Sequence, residues 1–188
     1  MKLSTDRIVS LSALFVGLGS LFIIVYQTYL MRESQAASVL PYVTISLMAN
    51  DRGTYIVARN TGVGPALIED VRIHHRGTTL ATDPYDFYVA ERGTDSAKGL
   101  SVDKLIPGRL ISAGEAVLTL GWEGDGAPAR VGELLGLFEL GEVPKSWYEA
   151  FGVPVSGPDK AILEITYASV YGERWRVTSD KVVPGRLD

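Results

Sequence analysis

Residues Ile8 to Leu30 read IVSLSALFVGLGSLFIIVYQTYL, 23 residues without a charge. As a helix this run is roughly 34 Å long, enough to cross a hydrocarbon core of about 30 Å. Met1, Lys2 and Arg7 precede it, and Arg32 and Glu33 follow. A secretory signal has an apolar core of about 7–15 residues before its cleavage site. Here Leu21, Phe22, Ile23, Ile24 and Val25 follow directly on Gly17 and Gly19, so the apolar core does not end there. The run is therefore expected to be an uncleaved transmembrane anchor, and everything beyond it one β-rich domain held beside a bilayer.

The flanks set the expected orientation. Lys2, Arg7 and the terminal amine outnumber Arg32, so the N-terminus is expected in the cytoplasm and the large domain outside it. The cytoplasmic orientation of that domain is the alternative. Ala13 and Gly17 form a small-xxx-small pair, with Ser20 near the same face, which allows close helix–helix approach. Small residues are also simply common in membrane helices.

Composition narrows the function classes. Without the first 31 residues the chain has 16 basic and 21 acidic residues, a net charge of −5. That argues against nucleic acid, whose binding needs cations to displace counterions. It also argues against a polybasic grip on anionic lipid. There is no cysteine, so disulfides, thiolate nucleophiles and cysteine zinc sites are excluded.

Arg32 to Leu40 can prolong the helix as a short stalk, and Pro41 stops it. The period then changes. In Tyr42 to Met48, Val43, Ile45 and Leu47 alternate with Thr44 and Ser46, the pattern of a half-buried strand. Asn50–Gly53 turns, and Thr54 to Asn60 returns as the second strand. Asn60-Thr61-Gly62-Val63-Gly64-Pro65-Ala66 is a tight connection. A third strand carries Val71 and Ile73. Residues 81–99 are the least regular part, although Tyr85, Phe87 and Tyr88 suggest packing. Leu100–Leu105, Arg109–Ile111 and Ala116–Trp122 read as further strands, and Glu123–Ala129 as a polar loop. Val131–Leu140 is ambiguous between a short helix and loop, and 144–151 reads as a helical turn or two. Ala161–Tyr167 and Trp175–Val177 form a closing hairpin. The expected architecture is an anchor in residues 1–31, a stalk in 32–40, and an immunoglobulin-like antiparallel β-sandwich of seven or eight strands in 41–188. A barrel is the alternative.

Pro41 before the first strand, the Asn60 to Ala66 turn, and the hairpin YASVYGERW (Tyr167 to Trp175) resemble a loose group of largely uncharacterised bacterial membrane-anchored proteins. These carry one N-terminal transmembrane helix and a β-sandwich. The resemblance implies that fold, an anchor in the bacterial inner membrane, and no particular activity or functional residue.

No stretch carries a catalytic constellation. Gly62-x-Gly64 lacks the third glycine of a dinucleotide loop, since Leu67 stands there, and Pro65 with a strand pattern follows. His74 and His75 point to opposite faces of a strand, so one of them with Glu69 or Asp70 makes at most a weak metal site. Asp83, Asp86 and Asp95, or Glu123 with Asp125, offer oxygen ligands but match no calcium loop. No Gly-x-Ser-x-Gly elbow exists. The best recognition candidates are Trp147, Tyr148 and Tyr171, because such rings favour interfaces; Trp175 is expected inward. Hence no cofactor or metal is expected, and an enzyme is the remote alternative. The expected role is a membrane-anchored accessory module with a protein partner or a second copy. The alternative is a domain binding an envelope glycan or small ligand through residues 81–99 and 123–158.

Overall fold

The computed structural model describes residues 5–124 and 130–187. Helix α1 spans Thr5–Ser38 without a break, so the expected anchor and stalk are one element. Within it Ile8–Arg32 is long and apolar enough to cross a membrane, and none of its apolar window is buried. The chain divides into two compact units, Met1–Ser38 and Val39–Asp188.

The second unit holds ten strands in two mostly antiparallel sheets, with three short helices, among the described residues. The first sheet contains β1 (Val43–Asn50), β2 (Gly53–Asn60), β7 (Ala116–Glu123) and β5 (Leu100–Ser101), in the order β1-β2-β7-β5. The second contains β3 (Ala66–His75), β4 (Thr78–Leu80), β8 (Ile162–Ala168), β9 (Arg174–Thr178) and β10 (Gly185–Leu187), in the order β10-β9-β8-β3-β4. Strand β6 (Leu110–Ile111) pairs with the start of β3. Seven or eight strands were expected; β4 and β10, three residues each, account for the excess. One cluster of buried side chains draws on both sheets, from Val43, Ile56 and Leu120 to Ile73, Ile165 and Val177.

The expected hairpin is present, with β1 and β2 in register from Val43↔Asn60 to Asn50↔Gly53. The ladder between β2 and β7 shifts at Ile56/Val57, which leaves Thr119 without a partner. Thr119 is buried, and its hydroxyl donates to Ile56 O at 2.9 Å, so the side chain at the irregularity is paired.

The irregular reading of 81–99 is corrected in part. Residues Pro84–Arg92 form helix α2, capped by Asp83, whose Oδ1 accepts from Asp86 N–H at 2.8 Å. Proline at the first turn and aspartate at the cap are helix starters rather than breakers. Phe87 and Tyr88 enter the core, edge-on to Phe138 and Trp122. Residues Val131–Leu137 form α3 and Lys145–Ala150 form α4. The polar loop expected over 123–129 lies, from Asp125 onward, outside the described residues.

Asn60 ties the domain's entry together. It is fully buried at the end of β2. Its Oδ1 accepts from Tyr42 N–H (3.1 Å) and Gly62 N–H (3.0 Å), and its Nδ2 donates to Gly64 O (2.8 Å) and Ile111 O (3.0 Å). All four hydrogen bonds of the amide are thus made to backbone of three separate segments. The turn then lies against the chain that enters the domain. A Cβ on Gly62 would collide with Leu40 O, and one on Gly64 with Val39 O.

A second link joins the sheets. Val43 N–H donates to the buried Tyr167 hydroxyl at 3.2 Å, and the Tyr167 ring stacks on Trp175. Burial pushes the Tyr167 hydroxyl up to about 12, against the opposing effect of the Val43 hydrogen bond.

Replacing Asn60 by Ala leaves two amides and two carbonyls without their partner, so a loss of about 3 kcal/mol is expected. Asn60→Asp is expected to lose more, because a carboxylate has no donor for Gly64 O and Ile111 O. Thermal unfolding of the full chain in mild detergent measures both; a melt unchanged in Asn60→Asp contradicts the assignment. The pH profile gives an independent check. A raised folded-state pKa means that the native state keeps a proton the unfolded chain releases. The stability due to Tyr167 is therefore fully present below pH 10 and lost as pH rises through about 12. Tyr167→Phe should flatten the slope of unfolding free energy over that interval.

Candidate interaction site

Helix α4 is six residues long, too short to persist by propensity alone. Tyr148 fixes it in place. Its ring is fully buried, and its hydroxyl both accepts from Leu140 N–H and donates to Leu140 O, each at 3.0 Å. The Lys160 ammonium lies 4.4 Å from the ring centroid and donates to Leu135 O at 2.6 Å, near the end of α3. Burial lowers the Lys160 pKa, and nearby Glu139 opposes that effect. The Tyr148 pKa is raised, first by burial. The expectation that Tyr148 offers a contact surface is therefore corrected: it is a core residue.

With Tyr148 inward, Trp147 and Phe151 on the same short segment are left outward, 37% and 41% exposed. They are four residues apart, on one helical face. Phe151 lies over Gly132 of α3, whose lack of a side chain leaves room for the ring. Together with Val131, Ala150 and the end of β1 (Ala49, Asn50, Asp51), these rings line an open groove of about 390 Å³. That is the lower end of the size range of small-ligand sites. Asp51 is the one charged residue in its lining. Sequence reasoning found Trp147 but not Phe151, Val131 or Ala49–Asp51. The repeat of an aromatic at 147 and 151 was the available signal.

Tyr171 is also exposed, but it lines a separate recess of about 490 Å³ with Glu173, Arg174 and Arg186. It is not brought together with Trp147. In that recess Arg186 pairs with Glu173 at 3.1 Å. Trp175 is buried, as expected. On α1, Ala13, Gly17 and Ser20 are exposed, and Gly17 has open space where a side chain would stand.

The candidate ligand groups are occupied structurally. His74 bonds Thr79 (2.9 Å) and Glu164 (3.2 Å). His75 is buried, with its Nε2 at 3.1 Å from Asp159 O and its ring edge-on to Phe87. Asp70 pairs with Arg72, and Glu69 with Arg174, each at 2.6 Å. Asp83 caps α2, Asp86 faces Lys104 at 3.4 Å, and Asp95 pairs with Lys98 at 2.8 Å. Asp125 lies outside the described residues, so its pairing with Glu123 is not described. Among the described residues, no three His, Asp or Glu side chains converge on a metal-sized site.

Comparison with protein-family models, with curated proteins and with solved structures finds no match.

The roles of Tyr148 and Trp147 separate by mutation. Tyr148→Ala should destabilise the domain by about 3–5 kcal/mol, the usual cost of removing a buried ring. Trp147→Ala should cost under about 1 kcal/mol, as an outward residue. Equal losses in thermal unfolding would contradict this division of labour.

Proposed function

We propose that this chain is a non-catalytic, membrane-tethered accessory module that holds a protein partner beside the bilayer. Its fold in this reading is an immunoglobulin-like sandwich, supported by two antiparallel sheets that share one apolar cluster. The observation that carries the reading is the combination of two units. One is a helix whose apolar window is wholly uncovered, a face that only lipid or other apolar helices can satisfy. The other has its own core and leaves a groove with two exposed aromatic rings uncovered.

In this reading Ile8 to Leu30 crosses the bacterial inner membrane once. The excess of Lys2 and Arg7 over Arg32 favours an extracytoplasmic domain. The domain binds no nucleic acid, in keeping with its acidic balance. A second copy is the other occupant considered. A second reading, an envelope glycan or small ligand, is favoured by one feature: an exposed indole beside Asn50 and Asp51 in the groove.

Membranes from cells expressing the full chain test both. The chain should resist alkaline carbonate extraction, and protease added to spheroplasts should remove the domain. Native-detergent purification should return a stoichiometric partner or oligomer. A soluble or strictly monomeric, partnerless chain contradicts the first reading. A thermal shift with envelope oligosaccharides, abolished by Trp147→Ala, would favour the second.

A further inference from the structure

The groove opens beside a strand edge, and the hydrogen-bonding parity of that strand is fixed. Thr61 N–H donates to Tyr42 O at 2.8 Å, one step before β1 in the same register. In an antiparallel ladder the residues two apart share that direction. Thr44, Ser46, Met48 and Asn50 therefore point their backbone groups at β2. Val43, Ile45, Leu47 and Ala49 point theirs at the free edge, because β1 ends its sheet. Val43 N–H confirms the parity by meeting the Tyr167 hydroxyl at 3.2 Å. Ile45 is buried. Leu47 and Ala49 are only half-buried, and their outward N–H and C=O groups have no partner among the described residues.

Natural sheets blunt such edges with charge, proline, bulges or brevity. β1 has eight residues, VTISLMAN, with no charge, no proline and no bulge against β2. Its open half runs into the groove through Ala49, Asn50 and Asp51. The chemistry of a free edge selects an extended backbone, and an adjoining pocket selects a side chain. The groove is lined by Val131, Trp147, Ala150 and Phe151, and its single charge is the exposed Asp51.

We propose that the partner enters as an extended peptide segment that pairs with β1 at Leu47 and Ala49. One large apolar side chain of that segment fills the Trp147–Phe151 groove, and a neighbouring cationic residue faces Asp51. This deepens the accessory-module reading and rests on it for the identity of the binding event as protein recognition.

The test selects octapeptides from a random phage-displayed library on the full chain in detergent micelles. Selected peptides should share a large apolar residue next to Lys or Arg. Their synthetic versions should protect the Leu47 and Ala49 amides from hydrogen exchange. Binding should weaken at least tenfold with Trp147→Ala, as expected for a central aromatic anchor, and about threefold with Asp51→Asn. Methylating alternate backbone nitrogens of the peptide should abolish it. Both protein variants change outward residues, and their thermal melts verify folding. No enrichment over an unrelated membrane protein, or peptides insensitive to Trp147→Ala that leave both amides unprotected, overturns the proposal. Recovery of a native partner equally by wild type and both variants also overturns it while leaving the accessory-module reading intact. A chain that purifies without any partner removes the broader reading instead.

Discussion

The second unit depends on a single buried amide. Asn60 stands where three segments meet: the chain entering β1, the turn after β2, and the short strand β6. Two donors and two accepting lone pairs are needed at one point, in a plane, and with no charge to desolvate. Asparagine supplies that set in this compact form. Glycines at 62 and 64 let the turn close onto Val39 and Leu40 so that the amide can reach them all. The register of β1 is fixed at its first residue by this network. So is the parity that decides which backbone groups of β1 face outward.

Tyr148 plays the corresponding part at the groove. A short amphipathic segment cannot hold its own shape, so an internal peg must fix it. The hydroxyl exchanging both hydrogen bonds with Leu140 makes burial of the ring possible without an unsatisfied polar atom. Trp147 and Phe151 are outward as a geometric consequence of where Tyr148 points. Their exposure is then a property of the fold, not an accident of two side-chain rotamers. The same peg explains why a lysine is tolerated nearby. Lys160 donates to Leu135 O and lies over the tyrosine face, which offsets part of its desolvation.

Much of this was legible wherever one physical rule governed a stretch. Alternation over Val43–Leu47 and Ala161–Tyr167 marked strands because each has one wholly apolar face. The unbroken apolar run at Ile8–Leu30 marked the long helix. The reading faltered where two rules competed. Asp83 and Pro84 look like breakers, yet their geometry starts α2. Glu164 and Thr166 alternate with the apolar face of β8, yet they too are buried. β4 and β10 are too short for any period. In the site, Trp147 and Tyr148 are adjacent in a six-residue helix, and nothing local decides which ring turns inward. The groove joins residues near 50, 131 and 150, a meeting that only tertiary packing creates.

The edges of the two sheets differ in a way that bears on function. At three of the four boundaries the outermost strands have two or three residues: β5 in the first sheet, and β10 and the β4/β6 side in the second. β1 alone is long. Its first half is covered, Val43 by the Tyr167 hydroxyl and Ile45 by burial. Only the half that runs into the groove is bare. A bare, uncharged edge carries a risk of indiscriminate pairing. The outermost strands at the other boundaries are all short. The long edge coincides with an apolar groove that carries two exposed rings, and the two features account for each other if a specific strand completes both.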